Sequence, residues 1–416
     1  MSKSLWSNKV WLVFLVLIAI LFPSNISLPA QTDKRSVAIA LGLDKTQDNQ
    51  VELSVKIVVP HYDTTYSQNS QVITAKGENP VEALSHLSVH IGKIIGLSHC
   101  SAIIIGKSFE NDNICSLLDE YLRGRRVNYN AIVVFSNSSA KDVLKKGSEI
   151  SQTFTQNIYD IVKYNENSMI AKIVLLSDFY STYYNGYGAS LIPVINVSSN
   201  ESLGLSTSTQ NQSGGQNGMS SNTSQSTNSQ NSNEYLSNDG ETAIVKNGKI
   251  IGSLSSDEYF GFGILTKESN RGVITLNNIT DKRLINADVV LSIKDKQISK
   301  RIEYSKTGIP RLHYKITCDV KLEHILQDNI SKELTNDVKD FISSQVKNAF
   351  SNKIKTMCAS AINKSKQLNF DSLEIYQTFN RFSHHSWQNY LKNLENIDDY
   401  LQKIEFFMEV SINNID

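Results

Sequence analysis

A polar, low-complexity tract from residue 198 to residue 238 divides this chain of 416 residues into two parts. The tract consists mainly of Ser, Asn, Gln, Thr and Gly, and its few apolar residues cannot bury enough surface to offset the entropy of ordering. As a flexible coil of about 40 residues, its ends would lie ~35 Å apart on average. We therefore predict a disordered linker or loop between folded regions, in a chain long enough for two or three domains.

The N-terminal residues 1–30 carry the pattern of an export signal. Lys3 and Lys9 form a positive start, and an uninterrupted apolar run from Val10 to Phe22 follows. This run is shorter than the ~20 residues that a membrane-spanning helix needs, which favours a signal peptide. A cleaved signal peptide and a retained signal anchor both fit the pattern, and either one predicts an exported protein.

Residues 34–197 show the patterns of an N-terminal mixed α/β domain. Apolar residues alternate with others in 37–41 and again in 51–59, which predicts two half-buried strands joined as a hairpin. Asn79 is a favoured helix cap and Pro80 a favoured first helical residue, so a helix is predicted to begin there. Strand and helix patterns alternate further along the region, which predicts a mixed sheet layered with helices.

Two predictions concern the end of this region. Apolar residues at helical spacing in 151–184 predict two helices rich in aromatic residues. The segment 190–197 reads as a strand, and its Pro193 indicates an edge position or a bulge.

Folded sequence resumes directly after the polar tract. Residues 242–254 read as a β-hairpin around Asn247 and Gly248, a pair typical of a type I′ turn. Ser255 and Glu258 have the spacing of a capping box, so a short helix is predicted to begin after Ser255.

The remaining sequence predicts a small middle domain or the start of the C-terminal region in 239–285, and a C-terminal α+β domain in 286–416. The predicted elements are three strands, a long amphipathic helix, two shorter helices and a closing strand, at 287–293, 297–304, 311–322, 334–358, 370–382, 386–394 and 406–412. The chain as a whole is predicted to be α+β, with multi-domain mixed α/β sheets packed with helices.

Charge and motifs indicate little chemistry. The 41 basic and 41 acidic residues cancel, which argues against a nucleic-acid partner. The sequence Gly106-Lys107-Ser108 is similar to the end of a phosphate-binding loop. Position 101, where that loop needs a glycine, is Ser, so we predict no nucleotide site.

Metal binding is also not indicated. The pairs His99-Cys100 and His384-His385 fall in different regions, whereas a zinc site needs three or four converging ligands. We predict packing or surface roles for them.

A basic cluster at a helix end, formed by Arg123, Arg125 and Arg126, has two interpretations. It is either a solvated helix terminus, favoured by the helix dipole, or a contact to an anionic partner or lipid headgroups.

Four cysteines, at positions 100, 115, 318 and 358, are too few for a disulfide scaffold. Cys100 and Cys318 lie in or beside apolar strand patterns, which predicts buried free thiols. One disulfide remains possible in an exported protein, and the sequence does not pair the sulfurs.

Several segments in order resemble the Ger(x)C family, the C subunits of bacterial spore germinant receptors. The segment ETAIVKNGKIIGSLSSDEYFGFGIL, at 241–265, is similar to a characteristic hairpin and helix of the family. The opening VAIALGLDKTQDNQVELSVKIVVP and the closing SHHSWQNYLKN are similar to further family segments. Members usually end the signal in a lipidated Cys, and this sequence has no Cys before Cys100.

The resemblance implies a three-domain α/β fold and a protein that is not an enzyme, without catalytic, cofactor-binding or metal-ligating residues and without a cofactor. It implies an extracytoplasmic receptor subunit needed for spore germination in response to nutrients, which trigger release of ions and dipicolinic acid. The implied partners are A-type and B-type integral membrane subunits at the inner spore membrane. Anchoring would rest on the signal segment or on these partners. The alternative is an exported solute-binding or envelope-adhesion module, which the signal and the polar tract also fit.

Overall fold

The computed structural model describes residues 11, 35–58, 70–123, 127–150, 158, 160–164, 169–185, 188–199, 234–238, 240–266, 271–281, 284–327, 330–331 and 344–415. Within them the chain forms several sheets with helices packed on their faces, so the predicted α+β class is confirmed.

The N-terminal sheet has the strand order β3-β2-β1-β5-β6, with the short strand β4 beside the start of β1. Its strands are β1 (Arg35–Lys45), β2 (Val51–Val58), β3 (Ser70–Gly77), β4 (Ile94–Gly96), β5 (Ala102–Gly106) and β6 (Ile132–Ser136). The predicted hairpin of β1 and β2 is confirmed as an antiparallel pair, whereas β5 and β6 run parallel to β1. The parallel pairs arise because helices connect these strands.

Helices cover both faces of this sheet. They are α1 (Pro80–Ile91), α2 (Ile114–Arg123) and α3 (Ala140–Ile150). The predicted start of α1 is confirmed, since the Asn79 side chain accepts a hydrogen bond from the Glu82 amide at 2.8 Å. Leu84 of α1 belongs to one apolar core of the sheet, and Leu144 of α3 belongs to a separate core on the other face.

Only part of the predicted helical pair in 151–184 is helical. Residues 158 and 160–164, in the first predicted helix, are helical. Helix α4 covers Leu176–Asn185, but Leu175 pairs with Ile132 at the edge of β6, and the Val133 amide donates to the carbonyl of Val174. The prediction of a helix across Met169–Leu175 was therefore wrong, because pairing with a sheet edge overrode the apolar spacing. Residues 151–157 lie outside the described residues.

A second sheet joins residues from both sides of the polar tract. Strand β7 (Ser190–Pro193) pairs antiparallel with β10 (Thr242–Lys246), which also pairs with β11 (Lys249–Leu254). Pro193 lies on an edge strand, as predicted.

The two ends of the polar tract meet in a third sheet. Strands β8 (Asn196–Ser199) and β9 (Glu234–Ser237) pair antiparallel. The first and last residues of the segment 198–238, which was predicted to be a disordered linker or loop, therefore lie in strands. The residues between them lie outside the described residues.

The turn between β10 and β11 and the helix that follows are confirmed. Asn247 and Gly248 have φ angles of 52° and 79°, which is the left-handed backbone of a type I′ turn. Ser255 accepts from the Glu258 amide and Glu258 bonds the Ser255 amide, closing a capping box at the start of α5 (Ser256–Leu265).

The C-terminal sheet has the order β12-β13-β14-β15, with β16 beside β14. Its strands are β12 (Gly272–Asp281), β13 (Leu284–Tyr304), β14 (Pro310–Gln327), β15 (Ile330–Ser331) and β16 (Glu405–Ile415). The strands predicted at 287–293 and 297–304 form one strand, since a bulge between Ile293 and Asp295 keeps the pairing with β14 continuous.

Three helices, α6 (Ser344–Gln367), α7 (Ile375–Phe382) and α8 (His384–Lys392), follow β15. Phe350 of α6, Phe379 of α7 and Trp387 of α8 are fully buried in one core with β14 and α5. Trp387 stacks on Phe379, with 5.0 Å between the ring centroids.

Candidate functional site

A polar cleft of about 190 Å³ lies where the parts of the chain before and after the polar tract meet. Its walls come from α4, from β7 and from the turn that precedes α7. The charged residues that line it are Lys172, Asp178, Asp371 and Glu374. The cleft is therefore lined by charged groups of both signs.

The buried carboxylate of Asp371 organises one wall of the cleft. It accepts hydrogen bonds from the amides of Leu373, Ile375 and Tyr376, at 3.2, 2.9 and 2.8 Å. The Tyr400 hydroxyl donates a fourth bond at 2.8 Å. Burial raises the pKa of the Asp371 carboxyl despite these bonds, which favour the ionised form. With four donors around it, Asp371 is a structural group that fixes the start of α7.

Glu374 stands at the rim of the cleft in a strained backbone. Its φ and ψ of 54° and 38° are left-handed, a region that residues other than glycine rarely occupy. Its carbonyl accepts from the Thr378 amide at 2.8 Å and from the Thr378 hydroxyl at 2.7 Å. The strain is held by these bonds and by the Asp371 bonds on either side of it.

The same turn ties the C-terminal part to the strand β7 region. Ser372 Oγ donates to the carbonyl of Ala189 at 3.0 Å, and Gly188 forms a parallel bridge with Asp371. On the neighbouring strand β10, Lys246 Nζ donates to the carbonyl of Asn369. The cleft is therefore built across a bonded junction.

The Gly106-Lys107-Ser108 sequence has a structural role. A Cβ at Gly106 would lie 1.9 Å from Asp44 Oδ1, so a larger residue at this position would clash with the carboxylate. Asp44 accepts from the amides of Ala140 and Lys141, both at 2.9 Å, which holds the start of α3 on β1. Burial raises the pKa of Asp44.

The His and Cys pairs are not brought together. His99 is exposed, and Cys100 is buried and donates to the carbonyl of Ala102 at 3.2 Å. His384 Nδ1 lies 2.9 Å from Asn380 Oδ1. Among the described residues, no group of His, Cys, Asp and Glu could hold a metal ion.

All four cysteines are buried free thiols, as predicted for Cys100 and Cys318. Burial raises the pKa of Cys100, Cys115 and Cys358 to about 12 and that of Cys318 to about 11. The thiols are therefore protonated at neutral pH and act as small apolar core groups.

The basic cluster is described only at Arg123, which is largely exposed and pairs with Asp119 at 2.6 Å. Arg125 and Arg126 lie outside the described residues. The ion pair joins positions i and i+4 of α2, as expected for a solvated helix end.

The sequence analysis did not single out Lys56, which is fully buried on β2. Burial lowers the pKa of its ammonium group to about 8. Lys56 pairs in register with Ala40 on one side and Val72 on the other, under the face that α3 covers. The alternating strand and helix pattern could have indicated the burial of Lys56, because it implies a sheet that helices cover on both faces.

Within the described part of the chain, no helix is both long enough and apolar enough to cross a membrane. The predicted export signal in 1–30 lies outside that part except for residue 11.

Two protein families match this chain, one on each side of the polar tract. Residues 30–197 match the family described as "Spore germination protein N-terminal domain". Residues 240–415 match the family described as "Spore germination B3/ GerAC like, C-terminal".

Two individual proteins are also similar. Spore germination protein A3 of Bacillus subtilis (strain 168) is 25% identical over 140 residues, which are 32% of this chain and 37% of that protein. A solved structure, described as "Crystal Structure of the GerBC protein", matches with a TM-score of 0.52 at 16% identity. The match covers 90% of this chain and 96% of that one, so the likeness of fold extends over both parts.

Proposed function

Because the chain belongs to the Ger(x)C family of spore germination proteins, whose two domain families it matches in order, we propose that it is the C subunit of a nutrient germinant receptor. It acts as a non-catalytic subunit that spores need to respond to nutrients. The single observation that carries this proposal is that matches to both families occur in one chain, on the two sides of the polar tract.

The proposed complex contains A-type and B-type integral membrane subunits at the inner spore membrane. The C subunit lies on the outer face of that membrane, attached by its N-terminal segment or by its partners. The apolar run from Val10 to Phe22, with Lys3 and Lys9 before it, supports export. The bonded junction between β7 and β10 supports a subunit that meets its partners as one body.

Deletion of the gene tests this function. Spores of the deletion strain are expected to germinate slowly with one class of nutrient, measured as loss of optical density and release of dipicolinic acid. Germination by a nutrient-independent trigger, such as a cationic surfactant, is expected to be unchanged. Restoring the gene at another locus returns the nutrient response. Unchanged germination on every nutrient, in a strain without a second copy of the family, would refute the proposal.

A further inference from the structure

Strand β16 forms one edge of the C-terminal sheet. It pairs in parallel with β14, and within the described part of the chain no strand pairs along its other side. Its pairing with β14 runs without interruption from Glu405 to Ile412. At the opposite edge of the same sheet, two register shifts interrupt the pairing of β12 with β13. We call the unpaired side of residues 405–412 the β16 edge.

The β16 edge lacks most of the features by which proteins protect an exposed edge strand. Short length, bulges, Pro and Lys are common forms of this protection. The segment EFFMEVSI, at 405–412, keeps one register throughout and contains no Pro or Lys. Such an edge presents a row of backbone N–H and C=O groups with which an added strand can pair.

Apolar side chains on both faces of the β16 edge are only partly covered. Phe406, Met408 and Ile412 pack against the C-terminal core and are half-buried, whereas Val410 between them is buried. On the outer face of the sheet, away from this core, Phe407 is 44% exposed. A strand added to the edge would remove part of this apolar surface from water, which favours its binding.

Charges on the outer face alternate from strand to strand. Arg311 of β14 forms an ion pair with Glu405 of β16 at 2.6 Å, and it is in register with Glu303 of β13 on its other side. His313 of β14 stacks on Phe407, with 4.7 Å between the ring centroids, and its Nε2 lies 3.1 Å from Glu303 Oε2. The middle strand is therefore the basic one of the three.

The same order continues one step further along the strands. Lys315 of β14 is in register with Glu409 of β16, and Glu405 and Glu409 are the charged residues of β16. Lys366 of α6 lies on the inner face, 5.3 Å from the centroid of the Phe406 ring, and donates to the carbonyls of Gln402 and Ile404. A strand next to β16 would thus meet two carboxylates on the outer face, which basic residues complement.

A second copy of β16 does not supply these basic residues. Residues 405–415 contain no Lys, Arg or His. Pairing of two β16 strands therefore places no basic residue opposite Glu405 or Glu409 in any register. Charge complementarity favours a strand of different sequence.

We propose that the β16 edge binds an extended segment of a partner protein by strand addition. The segment carries basic residues opposite Glu405 and Glu409, and apolar residues opposite Phe406 and Met408. It continues the alternation of charge on the outer face and completes the cover of the inner one. The inference goes beyond the proposed function and rests on it only for the existence of a protein partner.

Peptide binding to the full chain in micelles of an uncharged detergent tests the proposal. The probes are the fluorescently labelled peptides TKVFVKT and TEVFVET, which differ only in the charge of the two residues meant to face the glutamates. Opposite charges on adjacent strands attract and like charges repel, so the basic peptide should bind about tenfold more tightly by fluorescence anisotropy. Its binding should also slow hydrogen exchange of the β16 amides.

N-methylation of the peptide separates strand addition from simple attraction of charge. Along a strand, successive N–H groups point to opposite sides, so only alternate amides of the peptide would bond to β16. Methyl groups on one alternate set of amides in TKVFVKT should abolish binding. Methyl groups on the other set should leave it nearly unchanged.

Reversing one charge of the edge tests the residues involved. Glu409→Lys should remove the preference between the two peptides, because the repulsion at one position then offsets the attraction at the other. Glu110→Lys is the matched control, since Glu110 is an exposed glutamate of the N-terminal part. It should leave the preference at about tenfold.

Equal affinities of the two peptides for the wild-type chain would overturn the proposal, as would equal effects of the two methylated sets. Failure of the basic peptide to bind at about 1 mM would do the same. Protection of the β16 amides that rises with protein concentration, without any peptide, would show that a second copy occupies the edge. The deletion strain tests the proposed function separately, so a chain that is needed for germination but fails these tests keeps that function.

Discussion

Replacing Gly261 by alanine tests how closely α5 and α6 pack in the C-terminal core. An ideal Cβ at Gly261 would lie 2.2 Å from the carbonyl oxygen of Met357 and 2.6 Å from its carbonyl carbon. Both atoms belong to the backbone of α6, so no side-chain rotation relieves the clash. Bringing the closer pair from 2.2 Å to an ordinary 3.4 Å requires a shift of about 1.2 Å between the helices.

The cost of this shift comes from the residues that α5 buries. Tyr259, Phe260 and Phe262 are all at most 7% exposed in the same core as α6. Overpacking of a core costs ~1–3 kcal/mol and occasionally more, and an immobile backbone favours the upper end. Alanine returns up to ~1 kcal/mol of helix propensity. We expect Gly261→Ala to lower the free energy of unfolding by about 2–3 kcal/mol.

Gly263→Ala is the matched control on the same helix. Its Cβ would lie 3.3 Å from the flexible side chain of Met169, which can move aside. The gain in helix propensity then offsets the tighter contact, and we expect a change within about 1 kcal/mol. Urea unfolding monitored by fluorescence compares the two variants, since Trp387 lies in this core. Equal unfolding free energies for Gly261→Ala and Gly263→Ala would refute the reasoning.

Four further predictions concern stability. Asp371→Ala should cost about 3 kcal/mol in urea unfolding, because it leaves three buried amides and the Tyr400 hydroxyl without their acceptor. The loss of unfolding free energy caused by Asp371→Asn should be largest near pH 4 and smaller at neutral pH. The native pKa of Asp371 is raised, so the wild-type protein loses stability as the pH rises towards that pKa, whereas an amide side chain does not ionise. Burial lowers the native pKa of Lys56 from 10.5 to about 8, so between these pH values the folded state binds fewer protons than the unfolded state. The unfolding free energy of the wild type relative to Lys56→Met should therefore rise by up to ~3 kcal/mol between pH 8 and 10.5. Parallel pH profiles of the two proteins in urea unfolding would contradict this. Ser255→Ala should cost about 1 kcal/mol by the same unfolding assay and Ser255→Asp much less, since aspartate also caps; equal losses would exclude the capping bond as the cause.

Elements with local chemical signals could be predicted from the sequence. Asn79 before Pro80, the Asn247-Gly248 turn and the Ser255 cap each specify their backbone through neighbours within a few residues, and the structure has all three. Pairings between distant segments carry no such signal. The sequence of β16 predicts a strand, but nothing in it specifies parallel pairing with β14 about 90 residues earlier.

The candidate cleft shows the same limit. Asp371 falls inside the helix predicted at 370–382, whereas α7 begins only at Ile375. The burial of Asp371 arises when Tyr400 and the start of α7 fold around it. Lys56 alternates with Val55 and Ile57 as a solvent-facing residue would, and α3 then covers that face of the sheet. In both cases burial depends on which element packs on the residue, and short-range pattern does not contain that information.

The relative position of the two parts of the chain is set by pairing across the polar tract. Strand β7 precedes the tract and β10 follows it, yet they are direct neighbours in one sheet. Strands β8 and β9 close the ends of the tract against each other, so the intervening residues leave and re-enter the fold at adjacent positions. A closed loop of this kind changes in length at a cost of only ~0.6 kcal/mol per doubling. Because the sheet fixes the geometry, the tract can vary in sequence and length without moving the junction cleft.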